Sequence, residues 1–184
     1  MLQPAAALLI LAASTTAPTT EALEPRRVRL ELAAGGLWQN EYDDDYGGLE
    51  RSGPGVNARA TFRLGRHLAL ASDLAWVRGK DAWTGGAKTT TATLTGTVLW
   101  HFGGKAVQPY LGLGAALNWR DYCYAGPSAA EPSRCYSDSG GSPVVLEGGV
   151  KFINMRSGLT IAPEVRVEFL VLRLGLNIGW ARIK

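Results

Sequence analysis

The chain has 184 residues, 46% of them hydrophobic and 19% charged, with a formal net charge of +3; this is neither a disordered polyelectrolyte nor a bundle of membrane helices. Its 23 glycines exceed the usual ~7% without a G-X-Y period, which excludes collagen, and its scattered Lys and Arg argue against nucleic acid as a partner. Two cysteines build neither a disulfide framework nor a four-ligand zinc site by themselves.

In chain order, the first feature is the one continuous apolar run, Ala5 to Ala13. It is far shorter than the ~20 residues a membrane helix needs and has the length of a signal-peptide core. Residues 1–22 are therefore predicted to be an export signal, although Met1-Leu2-Gln3-Pro4 carries no Lys or Arg. Thr20-Glu21-Ala22 offers small residues where a signal peptidase inspects the chain, whereas Ala17 is followed by Pro18. The mature domain is then 23–184, and export to an oxidising compartment suits a cysteine pair.

From Arg27 onward nearly every segment alternates apolar and polar residues, the signature of a strand with two different faces. The first strand sets Val28, Leu30, Leu32, Ala34, Gly36 and Trp38 against Arg29 and Glu31. The second sets Val56, Ala58, Ala60, Phe62 and Leu64 against Asn57, Arg59, Thr61 and Arg63. In the third, Leu68, Leu70, Leu74 and Trp76 oppose Asp73; in the fourth, Ala92, Leu94, Val98, Trp100 and Phe102 oppose four threonines. The fifth sets Val107, Leu111, Leu113, Ala115, Leu117 and Trp119 against Gln108, Tyr110 and Asn118. Val144, Leu146, Val150 and Phe152 oppose Glu147 and Lys151 in the sixth. The seventh opposes Leu159, Ile161 and Val165 to Thr160, Glu164 and Arg166, and the eighth Leu172, Leu174, Leu176, Ile178 and Trp180 to Arg173 and Asn177.

Connections at Gly65-Arg66, 103–106 and 154–157 are tight, while Asn40–Gly53, Arg78–Ala87 and Asp121–Ser142 are long and polar. Long and short connections alternate until the brief last turn near Glu168. This predicts an all-β, eight-stranded antiparallel up-and-down transmembrane β-barrel.

Alternation alone also fits a soluble lipocalin-like binder with its apolar face inside. The aromatic positions favour the membrane. Trp38, Trp76 and Trp119 close outgoing strands, and Phe62, Trp100, Phe102, Phe152 and Trp180 close returning ones, all on the apolar face. Two such belts are expected where a surface crosses both headgroup zones. The interior would then hold Arg29, Glu31, Arg59, Arg63, Asp73, Glu147, Lys151, Glu164, Arg166 and Arg173. Because eight strands enclose a lumen that side chains just fill, these are expected to pair into a polar plug rather than line a pore.

Val107-Gln108-Pro109-Tyr110-Leu111-Gly112-Leu113-Gly114-Ala115 resembles the P-Y-x-G-x-G strand common in small bacterial outer-membrane barrels of the OmpA/OmpX-like superfamily. The signal, the eight strands and the loop asymmetry are similar to that family along essentially the whole mature chain. The resemblance implies insertion into the cell outer membrane by the barrel-assembly machinery, contact with outer-membrane lipid and lipopolysaccharide, and both termini in the periplasm. The loops are expected to meet an extracellular ligand, and no peptidoglycan-binding domain is expected after the barrel. The chain departs from the family in following Trp180 with Ala181-Arg182-Ile183-Lys184 instead of ending on an aromatic residue. Pro163, lacking a ladder donor, is expected to mark a bulge.

Candidate chemistry is sparse, and no cofactor or metal is expected. His67 and His101 are placed near each other on the lumen side at the periplasmic end; two ligands without a third make a weak metal site. A lipid A-modifying hydrolase would need its Ser/His/acid set at the opposite, outer-leaflet end. Cys123 and Cys135 are expected to form a disulfide pinning the third long loop. Glu41-Tyr42-Asp43-Asp44-Asp45-Tyr46 lacks the register and the Gly of an EF-hand, so it reads as a solvated, self-repelling loop. Trp83 and the loop tyrosines are candidates for adhesion.

Overall fold

The computed structural model describes residues 29–42, 49–81, 88–103, 106–124, 134–154 and 156–181. The expected signal peptide, Asp43–Tyr46, Trp83 and the side chain of Arg29 lie outside the described residues. Eight strands follow one another: β1 (Arg29–Tyr42), β2 (Leu49–Arg63), β3 (Leu68–Asp81), β4 (Lys88–His101), β5 (Val107–Tyr124), β6 (Arg134–Ile153), β7 (Leu159–Glu168) and β8 (Val171–Ala181). Each pairs antiparallel with its sequence neighbours, and β8 returns to β1 from Glu31↔Ala181 to Glu41↔Val171, closing the sheet. Closure leaves no strand with an open edge.

The register fixes the shape. Following paired residues from Glu31 through Thr61, Ala71, Thr97, Gly114, Val145, Glu168 and Val171 returns to β1 at Glu41, ten residues above the start. Eight strands with that stagger tilt by about 40°, so each residue climbs ~2.5 Å along the barrel axis.

The strands are longer than the alternation predicts, and the excess lies at the long-connection end. β1 continues from Trp38 to Tyr42, β3 from Trp76 to Asp81 and β5 from Trp119 to Tyr124. Most of the expected loop Asp121–Ser142 is instead paired strand, with Cys123 directly opposite Cys135. Beyond the tryptophans both faces of the sheet meet water, so the ladder continues while the apolar alternation that reveals it stops.

One further expectation is corrected. Pro163 sits opposite Leu176 in unbroken register with β8, and its missing donor faces β6, where the ladder skips from Gly149↔Glu164 to Phe152↔Ile161. A bulge lies instead on the neighbouring strand β6, at another proline. Gly114 pairs with Val145 and Ala116 with Ser142, so the extra residue falls at Pro143-Val144. At the tight-turn end, Gly158 takes φ of +75° and a Cβ there would strike the Trp180 indole and the Ala181 carbonyl, so that turn needs glycine.

Candidate functional site

The two faces of the sheet differ completely. Outward positions carry Leu30, Leu32, Val56, Leu74, Leu94, Leu113, Leu146, Val165, Leu176 and Ile178, all exposed. The eight ring residues of the sequence reading also face outward, from Phe62 at 43% exposure to Trp180 at 68%. Corrected for the ~40° tilt, Phe62, Trp100, Phe102, Phe152 and Trp180 fall within ~5 Å of one level. Trp38, Trp76 and Trp119 stand about 18 to 25 Å above it. That separation is close to the ~25 Å apolar band of an outer-membrane barrel. A soluble binder with a greasy interior is excluded, because this interior is ionic.

Inside, the chemistry is built from side chains that cross the lumen. Strands four apart face each other in a ring of eight, and each of the four diameters is bridged. From β2 to β6, Arg59 Nη1 lies 2.6 Å from Glu147 Oε1. From β3 to β7, Arg166 Nη1 donates to Asp73 Oδ1 at 2.9 Å. Arg173 Nη2 on β8 donates to Thr93 Oγ1 on β4 at 2.7 Å. Arg120 Nη2 on β5 donates to Glu41 Oε1 on β1 at 2.5 Å. These contacts climb the axis in that order, each turned one strand from the last.

Other groups tie the rungs together. Glu164 accepts from Arg59 at 2.6 Å and from the Tyr110 hydroxyl at 3.1 Å. Asn57 Nδ2 donates to Asp73 Oδ2 at 2.7 Å. Arg173 also donates to Glu168 at 2.6 Å and to Gln39 at 2.8 Å. Below them, Lys151 Nζ donates to Glu31 at 2.7 Å, Thr160 donates to the other oxygen of Glu31 at 3.2 Å, and Arg63 bonds Gln108. Arg166 and Glu147 are only 2% and 3% exposed, so each ion is removed from water and depends on its partners for solvation. Near the top, Gln39, Glu41, Arg51, Thr89 and Thr91 line a partly open pocket of about 10 Å³, roughly one water in size.

Of the residues placed inside by sequence, Glu31, Arg59, Asp73, Glu147, Lys151, Glu164, Arg166 and Arg173 are buried and Arg63 is half-buried. The alternation missed Gln39, Glu41, Glu168 and Arg120. Glu41 and Arg120 lie above the upper tryptophans, where polarity no longer distinguishes in from out. Glu41 is not part of a solvated loop: its carboxylate takes both Arg120 and Arg51, at 2.5 and 3.4 Å. The histidines do not share the lumen either. His101 is buried against Tyr110, with ring centroids 5.5 Å apart, whereas His67 is exposed in the turn and stacks on the outward Trp100. Their rings lie on opposite sides of the wall and cannot chelate one ion.

At the long-connection end the rim is uneven. The turn after β7 is only Phe169-Leu170, with Phe169 77% exposed at φ of +32°. β5 and β6 rise beyond it to the Cys123–Cys135 disulfide. Between these heights lies an open cleft of about 650 Å³ lined by Glu41, Tyr42, Asn118, Pro143, Glu168 and Phe169 among others.

Comparison with known proteins gives the following. The family model of the outer membrane protein beta-barrel domain matches residues 5–181. Ail, the attachment invasion locus protein of Yersinia pestis, in its complex with the heparin analogue sucrose octasulfate, superposes with a TM-score of 0.60 at 16% identity, over 84% of this chain and 99% of that one. Neisserial surface protein A gives 0.56 at 14% identity, over 83% and 96%. OprG of Pseudomonas aeruginosa gives 0.57 at 13%, over 86% and 98%. At such identities the likeness is one of fold. No curated protein sequence matches.

Proposed function

The chain belongs to the outer membrane protein beta-barrel domain family and is an eight-stranded barrel of the cell outer membrane, and from that premise we propose that it is a non-conducting barrel acting through its outer rim. Its role is structural, or surface-interactive through the connections at the long end. The observation that carries this reading is the bridging of all four diameters of the lumen by polar pairs, three of them buried and the topmost, Arg120–Glu41, part-buried. Such a cross-section leaves no continuous water path for a solute.

In this reading the tight turns and both chain ends face the periplasm, residues 1–22 are the export signal, and the barrel-assembly machinery inserts the mature chain. The tall β5–β6 hairpin and the cleft beside it then face the cell exterior. Ail was captured with a sulfated sugar, which supports looking for the partner among molecules that meet an exposed rim. An enzymatic role is disfavoured by placement. His67 and His101 both lie at the tight-turn end, away from the outer leaflet where a lipid A hydrolase would act.

Two measurements test the proposal. Protein folded into vesicles should migrate differently on a gel before and after boiling. In planar bilayers the pure protein should give no steady current, and reproducible single-channel steps would defeat the plugged lumen.

A further inference from the structure

On the outer face, just above Trp76, three basic side chains gather with no acid between them among the described side chains. Lys80 on β3 and Lys88 on β4 are directly opposite one another in the register, and Arg78 lies two residues below Lys80 on the same face. All three are exposed, as is Trp76. Like charges directly opposite on adjacent strands repel and destabilise the pair. None of the three makes an ion pair among the described residues. Among the described side chains, the nearest acid on this face, Asp121, stands opposite Thr90 and accepts a bond from Ser137 Oγ at 2.6 Å.

Height decides what neutralises them. With ~2.5 Å of climb per residue, Arg78 stands about 5 Å and Lys80 about 10 Å above the Trp76 level. A headgroup region is roughly 5 to 8 Å deep on each side of the hydrocarbon. The cluster therefore begins within the zone of lipid headgroups, with its side chains directed away from the lumen. Other outward residues at the rim, such as Asp121, Ser137 and Ser139 on β5 and β6, do not repeat this charge.

We propose that Arg78, Lys80 and Lys88 form a binding site for the phosphate groups of the outer-leaflet lipopolysaccharide lipid. The claim rests on the orientation given above, with the long-connection end outward. Two ammonium groups and a guanidinium on one face of two paired strands can close around one phosphomonoester by charge-assisted hydrogen bonds. The anion also relieves the Lys80–Lys88 repulsion.

The test uses the full mature barrel in mixed bilayer discs of phosphatidylcholine with bisphosphorylated lipid A or with enzymatically dephosphorylated lipid A, bound lipid being counted by native mass spectrometry. The unaltered protein should retain the phosphorylated form preferentially. Lys80→Gln with Lys88→Gln should lower that preference about thirtyfold, at roughly 1 kcal/mol per basic residue near an anionic surface. Lys80→Arg with Lys88→Arg should keep it. Heat-dependent gel mobility checks that each variant is folded. A folded double-glutamine variant with the unaltered preference would overturn the site, as would displacement of the lipid by millimolar inorganic phosphate. A chain that never folds into bilayers would overturn the barrel reading itself, and the site with it.

Discussion

Arg166 holds three carboxylates at once: Asp73 at 2.9 Å, Glu164 at 3.5 Å and Glu147 at 3.6 Å. Removing it by Arg166→Ala leaves those buried charges short of a counter-ion, a loss of about 3 to 5 kcal/mol. The urea midpoint in vesicles, followed by tryptophan fluorescence, should fall accordingly. Replacing the pair together, Arg166→Met with Asp73→Leu, should recover much of that loss, because an apolar pair of similar volume needs no solvation. Gly35 makes a different kind of demand. A Cβ there would stand 2.3 Å from the Leu176 carbonyl oxygen and 2.4 Å from Asn177 Oδ1, so Gly35→Ala should cost about 1 to 3 kcal/mol in the same assay. At this scale the sequence reveals which side of the wall a residue occupies, since Arg59 and Asp73 alternate with apolar neighbours. It does not reveal that Arg59 meets Glu147, which is set by the ten-residue stagger and not by any local spacing.

The β5–β6 hairpin has two regimes along its length. Up to Trp119 and Val144 it is a membrane wall with one greasy face, and there the residue pattern locates both strands. Above, 134–142 is Gly- and Ser-rich with both faces wet, and the backbone ladder, the Cys123–Cys135 disulfide and the Ser137–Asp121 bond hold it as a strand. For the same reason the strand character around Cys123 and Cys135 is invisible to a period-two reading. A change of face at Pro143-Val144 is equally hidden, since Pro143 and Pro163 look alike until their partners are known. The disulfide closes a separation of 12 residues, which in the chain-entropy view stabilises by about 3 kcal/mol or less. Cys123→Ser with Cys135→Ser should therefore leave the heat-dependent gel shift intact. Limited proteolysis should cut the altered hairpin tip faster while the fragment below Trp119 stays protected. Loss of the whole barrel in that variant would mean the crosslink supports more than the hairpin.

For the whole molecule, the fold class was legible from length, alternation and turn spacing, because a lipid-facing sheet must separate its two faces at every residue. The angular order of the lumen contacts was not, since it emerges only when the last strand meets the first. That closure has a testable corollary. A chain ending after Leu170 lacks β8 and leaves both β1 and β7 with unpaired edges, so it should fail to show the gel shift in vesicles and should aggregate instead. Because β1 cannot be sealed until residues more than a hundred positions downstream arrive, the contact order of this seam is very high. Until that seam forms, the raw margins of the first and last strands stay open to mispairing with other chains.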